Sequence, residues 1–401
     1  MEKYRQIAKY AYEKSIFYRE FVGYRKINDG EKDTEEFEFE KLSIISKDDI
    51  VDSKVPILPI EYMIHDSNDE VITMSTSGST GKTLKVEWNK SDYYKSMTEL
   101  WILRKKYYGI NPNDKMCYFY TTRNLGTEEV MESEIGNTLG FSKTSLNKVR
   151  MKEIYERICE YQPVWMLLQP STAQILADVM RQNHLPCIES LKYIEFSGEM
   201  LSESLERQVK KMFKCDVANQ YGSYEFNSIA YECPYGNMHV VGSNVHVENT
   251  EDGEFVITSL TNKRTPFIRY RIGDSGILLH NINCCCGNRN PVIRLTVGRS
   301  HYFVECEDGT KLNAYIFSRA VDNINFILDD VVKQFQVIQR AVNDFKVRMY
   351  VDDRSQISAI KKIFEENILD NALQNAKFEY SFEEGYIKDE HGDKLMYFRR
   401  Q

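Results

Sequence analysis

The segment Thr73-Met74-Ser75-Thr76-Ser77-Gly78-Ser79-Thr80-Gly81-Lys82-Thr83 packs hydroxyls, two glycines and a lysine into one short stretch. Glycines let backbone N–H groups come close to oxygens, hydroxyls donate hydrogen bonds and the lysine adds charge. Such a loop can wrap a polyphosphate. Taken alone, it is equally well a polar hairpin loop. The P-loop of kinases and GTPases is excluded. Its first glycine would fall on Thr76, and the segment leads into Leu84-Lys85-Val86-Glu87-Trp88, which alternates like a strand. A second constellation is built from soft ligands. Cys233 and His239 form Cys-x5-His, and Cys284, Cys285 and Cys286 are consecutive. Two short clusters beside turn residues suit tetrahedral zinc, with Cys233, His239, Cys284 and Cys286 as ligands and Cys285 spare. With all four positions filled, such a zinc is structural. Buried free thiols, or a Cys284–Cys286 stretch that is merely a surface loop, are the alternatives.

These groups need elements to hold them. Val71-Ile72 and Leu84–Trp88 predict strand, polar loop, strand around the first segment. Ser46-Lys47-Asp48-Asp49-Ile50 predicts a short capped helix, and residues 1–27 open helically. Ser91–Tyr108 reads as a helix, capped by Ser91 and ended by Gly109. Strands are expected at 115–121, 164–168, 191–196 and 217–221, with helices at 149–160, 170–182 and 202–213 between them. That alternation predicts an α/β core with a largely parallel sheet. Ligands of such sheets sit at the carboxyl ends of strands, where Ser197-Gly198-Glu199 and Gly222–Glu225 fall. From about 238 short alternating strands dominate: His239–Val247, Glu254–Ser259 and Phe267–Arg271. After Arg299 the pattern becomes a small α+β domain, with helices near 313–323 and 357–369 and strands near 377–382 and 394–398.

Bulk properties narrow the classes. The 401 residues suffice for two or three domains. A net charge of −8, from 60 acidic and 52 basic side chains, argues against a general nucleic-acid binder. No apolar run reaches membrane-spanning length, and Met1-Glu2-Lys3-Tyr4-Arg5 precedes no signal core, so a cytoplasmic location is expected. The nine cysteines do not form a disulfide-scaffold pattern.

Together these residues resemble the adenylate-forming acyl ligases, in the phenylacetate–coenzyme A ligase-like branch that includes capsule-biosynthesis homologues. Ala11–Tyr18 and Leu42–Ile50 look like that group's N-terminal helices. Ser77-Gly78-Ser79-Thr80-Gly81-Lys82 resembles its phosphate loop, and Tyr221-Gly222-Ser223-Tyr224-Glu225 its tyrosine–glycine–x–x–glutamate segment. Pro266-Phe267-Ile268-Arg269-Tyr270-Arg271-Ile272-Gly273-Asp274 is similar to its most distinctive stretch, and Val297-Gly298-Arg299 to its hinge approach.

The resemblance implies a large N-terminal adenylating domain over residues 1–299, with mixed, largely parallel sheets and the zinc-site region inserted at 233–287. A small mobile α+β domain would follow over 300–401. It implies that a carboxylic acid is activated by ATP to an acyl-adenylate and then passed to coenzyme A; an aromatic acid would suit Tyr118, Phe119, Tyr120, Trp165 and Phe196, for which core packing is the alternative. Ser77, Gly78, Ser79, Thr80, Gly81 and Lys82 would grip the β- and γ-phosphates. Glu225 would help bind Mg²⁺, a hard ion that takes carboxylate oxygens. Tyr221 and Gly222 would lie against adenine, with Ser197, Gly198 and Glu199 lining its pocket. Asp274 would accept hydrogen bonds from the ribose hydroxyls. Arg299 would reach the ribose or α-phosphate, and Lys394 would stabilise charge developing on that phosphate. The family's C-terminal domain rotates between the half-reactions. Thr83, Tyr224, His301 and Tyr302 depart from the family pattern, the last two at the hinge. Transfer to a carrier-protein pantetheine or an amine, and a non-catalytic nucleotide-binding protein, are the competing readings. A homodimer is compatible with all of them.

Overall fold

The computed structural model describes residues 2–20, 39–64, 70–75, 83–120, 124–125, 128–143, 146–299, 303–369, 373–387 and 397–401. The chain divides into two compact units. One comprises Met1–Asp114, Glu195–Gly198 and Ala218–Thr296; the other comprises Lys115–Ile194, Glu199–Val217 and Val297–Gln401.

In the first unit, the strands Val71–Ser75 and Lys85–Asn89 pair antiparallel, with Ser75 opposite Lys85. That pairing brings the two ends of the hydroxyl- and glycine-rich loop together. Val86 and Trp88 are buried on the inner face. The chain then turns directly into the helix Lys90–Tyr108, because the Lys90 N–H donates to the Glu70 carbonyl at 2.9 Å. The helix therefore starts after Asn89 and not at Ser91. Gly109 ends it with φ at +68°, a backbone state that suits glycine. The short helix Lys47–Val51 carries the expected capping box between Ser46 and Asp49.

The strands that lie wholly or largely in this unit follow the order Val245–Asn249, Glu254–Ser259, Tyr270–Leu279, Val292–Arg299, Met238–Val240, Ala230–Glu232, Asp216–Tyr221, Tyr193–Ser197. Its hairpin registers are antiparallel. Two expectations shift here. The strand expected over Phe267–Arg271 begins only at Tyr270 and continues to Leu279. The backbone before it is held by a mixture of side-chain bonds and single backbone bonds, such as Ser259 N–H to the Phe267 carbonyl at 2.8 Å. Tyr18 Oη donates to the Pro266 carbonyl at 2.6 Å and accepts from Ile268 N–H at 3.0 Å, and Thr258 Oγ1 accepts from Arg269 N–H. The run His239–Val247 is two strands, because Asn244 Nδ2 ties the bend between them to the Phe226 and Ser228 carbonyls, each at 2.7 Å. The core packs Phe226, Phe267 and Tyr270 against Tyr18, Ile45 and Trp88.

In the second unit, Met116–Tyr120 pairs in parallel with both Thr138–Ser142 and Trp165–Leu168. Glu132–Ile135 adds an antiparallel edge. The helices Lys148–Tyr161, Pro170–Gln182 and Glu203–Phe213 follow the sequence expectation, the first capped by Asn147 and the last by Ser202. Residues 303–401 build a four-stranded sheet in the order Lys377–Glu383, Asp344–Val351, Val332–Ala341, Phe398–Arg400, with the helices Tyr315–Ile327 and Ile357–Leu369. Phe317, Phe345, Phe364 and Phe398 fill a core of its own residues. The α/β class with a separate small C-terminal sheet is as the sequence predicts. Among the described residues, no helix is long and apolar enough to cross a membrane.

Candidate active site

Two strands of the first unit bring sequence-distant residues to one place. Tyr221 ends the strand Asp216–Tyr221, and Asp274 lies in Tyr270–Leu279. The Tyr221 hydroxyl donates to Asp274 Oδ2 at 2.7 Å. One residue before Tyr221, the Gln220 amide oxygen accepts from Ser197 Oγ at 2.5 Å, and its Nε2 donates to the Asn227 carbonyl. Two hydrogen-bonded pairs, Ser197–Gln220 and Tyr221–Asp274, thus mark this polar edge of the sheet, with the successive residues Gln220 and Tyr221 on opposite faces of their strand.

The turn after Tyr221 has no room for side chains where it folds back. A Cβ on Gly222 would lie 2.0 Å from the Asn227 carbonyl oxygen, so only glycine fits. The turn is held by Asn227 N–H to the Ser223 carbonyl at 2.7 Å and by Trp88 Nε1 to the Tyr224 carbonyl at 3.2 Å. Tyr224 itself is exposed. Glu225 is 7% exposed, with Tyr270 Oη 3.5 Å from its Oε1. Sequence reasoning missed Gln220 and Tyr270, although Gln220 directly precedes Tyr221-Gly222.

The stretch that leads into Asp274 is anchored to the loop-bearing hairpin. Thr265 Oγ1 both accepts from the Glu87 N–H and donates to the Glu87 carbonyl, each at 3.0 Å, and Asn262 Nδ2 donates to the same carbonyl. Arg264 pairs with the Glu87 carboxylate at 2.8 Å. Arg269 grips Glu248 at 3.0 Å and donates to the Glu40 and Leu42 carbonyls. Most of the signature stretch therefore holds the fold, and Asp274 alone presents a carboxylate at the polar edge.

The Ser197 strand has its own support. Arg104, 4% exposed in its side chain, makes a bidentate pair with Glu195, which is fully buried. Gly198 follows with φ at +84°. In the second unit, the Glu199 carboxylate accepts from both the N–H and the hydroxyl of Ser171, each at 2.9 Å, and so caps the first turn of Pro170–Gln182. That carboxylate is committed to a helix end. Trp165 and Phe196 are buried core residues.

Ser77, Gly78, Ser79, Thr80, Gly81, Lys82, His301, Tyr302 and Lys394 lie outside the described residues. Arg299 is described only as the end of the strand Val292–Arg299.

The four soft ligands converge. One donor atom from each of Cys233, His239, Cys284 and Cys286 lies within 4.8 Å of the others. Cys286 Sγ is 3.3 Å from His239 Nε2, and Cys233 Sγ is 3.7 Å from Cys284 Sγ. His239 Nδ1 faces the Asn290 carbonyl at 3.1 Å, which turns Nε2 toward the sulfurs. Burial pushes the Cys233 thiol up to about 12. At Cys284 burial also raises the value, but the Cys286 N–H and hydrogen bonds from His239, Cys286 and Cys233 outweigh it and hold the thiol down to about 6. Cys285 is exposed.

Residues 23–251 match the AMP-binding enzyme family. The chain belongs to that family. Among curated proteins, it is 22% identical over 383 residues to Protein CapK of Staphylococcus aureus, covering 90% of this chain and 80% of that protein. It is 22% identical over 370 residues to phenylacetate-coenzyme A ligase of Thermus thermophilus, covering 84% and 77%. The structure resembles that of 2-hydroxyisobutyryl-CoA ligase in the postadenylation state, in complex with R3-HIB-AMP. The TM-score is 0.76 at 16% identity, over 100% of this chain and 88% of the ligase. That likeness is one of fold.

Proposed function

We propose that this AMP-binding enzyme activates a carboxylic acid with ATP and transfers the acyl group to coenzyme A. In the first half-reaction a carboxylate oxygen attacks the α-phosphorus, the bond from that phosphorus to the bridging oxygen breaks, and pyrophosphate leaves. In the second, the sulfur of coenzyme A attacks the acyl carbon, the bond to AMP breaks, and the thiol proton passes to solvent. The observation that carries this reading is the hydrogen bond from Tyr221 to Asp274, which sets a carboxylate beside an aromatic ring at one polar edge. Such a pair suits a nucleoside: the ring covers adenine, and the carboxylate accepts from ribose hydroxyls.

Glu225 is the residue proposed to hold Mg²⁺, which would neutralise charge on the departing phosphates. The loop Ser77–Lys82 is proposed to grip those phosphates, with Ser197 and Gly198 lining the adenine side. Arg299 and Lys394 are proposed to face the α-phosphate. Cys233, His239, Cys284 and Cys286 fit a structural zinc in donor type, number and spacing. Bound there, zinc would staple the hairpin Ala230–Val240, which pairs with the Tyr221 strand, to the segment at 284–286.

The test supplies ATP, Mg²⁺, coenzyme A and a panel of aliphatic and aromatic acids, and reads AMP and acyl thioester by mass spectrometry. Both products in equal amounts are expected with at least one acid. Pyrophosphate release without a thioester would move the acceptor to a carrier pantetheine or an amine. ATP binding with no pyrophosphate release on any acid would leave a non-catalytic nucleotide-binding protein.

A further inference from the structure

Asp178 lies in the helix Pro170–Gln182 and is fully buried, yet no step above uses it. Three elements of the 303–401 part converge on it. Tyr386, after the strand Lys377–Glu383, donates its hydroxyl to Asp178 Oδ2 at 2.7 Å. Lys333, in the strand Val332–Ala341 and 2% exposed in its side chain, places Nζ 3.8 Å from Asp178 Oδ1. Asp352, after Asp344–Val351, pairs with Arg181 and stands 3.6 Å from Lys333 Nζ. Arg181 and Gln174, on the same helix, also donate to Asp178, at 3.2 and 3.1 Å. Asp178 and Lys333 are thus buried at the centre of this cluster, and Arg181 and Asp352 close it at the surface.

Its chemistry is not what cohesion alone would select. The 303–401 part has its own apolar core and needs no contact with Asp178 to bury it. Buried ion pairs add little net stability over apolar packing, but they fix geometry and penalise any wrong arrangement. Next to the cluster, Ile387 N–H donates to Gln334 Oε1 at 2.8 Å, and Tyr350 packs edge-on against Tyr386 while accepting from Lys148. The backbone is therefore held down to Ile387, and Lys394 follows Tyr386 by eight residues in sequence. At its other end, the same helix is capped by Glu199, next to Ser197-Gly198.

We infer that Asp178 is a positioning residue for the first half-reaction: by taking the Tyr386 hydroxyl and the Lys333 ammonium, it holds the polypeptide leading to Lys394 against the helix that Glu199 caps. This rests on the role proposed above for Lys394. Burial and the Asp178 charge push the Tyr386 phenol far above its ordinary range, so it stays a donor at any physiological pH.

The test compares wild type with Tyr386→Phe, which removes one oxygen, and with Asp178→Asn, which keeps the shape. Each half-reaction is measured separately: acid-dependent ATP–pyrophosphate exchange, and thioester formation from preformed acyl-adenylate and coenzyme A. Exchange is expected to fall about tenfold in Tyr386→Phe, the scale of one hydrogen bond to a charged group, with thioester formation unchanged. Deuterium uptake in peptides spanning 384–400 should rise, with uptake in Val332–Ala341 unchanged. Equal losses in both half-reactions, or unchanged uptake at 384–400, would overturn the inference. If Asp178→Asn fails to fold, Tyr386→Phe decides alone. The uptake readout needs no activity, so a wild type without exchange refutes the proposed reaction while the tether is still tested.

Discussion

Tyr221 and Asp274 stand fifty-three positions apart in the chain and meet through a 2.7 Å hydrogen bond. The tyrosine fixes one carboxylate oxygen of Asp274, and in the proposed site the other would accept from a ribose hydroxyl. A carboxylate that is already oriented needs no reordering when a ribose arrives. Tyr221→Phe keeps the ring and frees the carboxylate. Its KM for ATP should rise about tenfold with kcat within about threefold, whereas Asp274→Ala should lose roughly a hundredfold in kcat/KM. Steady-state kinetics with varied ATP checks both.

Zinc analysis of protein prepared without chelator should give close to one equivalent. Cys284→Ala and His239→Ala should lose the metal and lower the melting temperature, while Cys285→Ala should change neither. Less than about a tenth of an equivalent in wild type contradicts the site.

The Arg104–Glu195 pair sits under the Ser197 strand. Arg104→Ala removes the guanidinium from a buried carboxylate and should cost about 3–5 kcal/mol, read as a lower denaturant midpoint. Replacing both residues with leucine should recover most of that loss, since the buried charge goes with its partner.

Burial, with help from the Glu203 charge, raises the Asp322 carboxyl from its ordinary 3.8 to about 6; Arg207 opposes the shift and Asp330 adds to it. The folded chain therefore keeps a proton between about pH 4 and 6 that the unfolded chain has lost. From this group, stability rises as pH falls from above 6 toward 4. Asp322→Asn should melt higher than wild type at pH 7.5, with the gap narrowing at pH 5. Paired melting curves at the two pH values check the sign.

How much of this was legible in sequence depends on range. Local elements were readable: the helix Pro170–Gln182 starts at its proline, Ser202 and Gly109 cap as their types suggest, and Ser46 with Asp49 makes its box. The residue types of the Tyr221–Asp274 edge were readable too. Their contacts were not. Tyr221 reaches Asp274 only through the order of several antiparallel strands, and no local periodicity encodes that order. Phe267–Ile268 has the composition of a strand, yet Tyr18, some 250 positions earlier in sequence, takes the Ile268 N–H and the Pro266 carbonyl. Asp178 carries no local sequence signal, because its partners Lys333 and Tyr386 lie far along the chain. Trp165 and Phe196, considered as pocket walls, are sealed in the core, where large aromatics contribute most by burial.

The central claim is that this chain makes an acyl-adenylate. Its most direct test is exchange of labelled pyrophosphate into ATP, with an acid present and coenzyme A absent. The account predicts exchange that requires both the acid and Mg²⁺ and that falls to background in Asp274→Ala. Exchange that proceeds without any acid, or none with any acid by a protein that binds ATP, would contradict it.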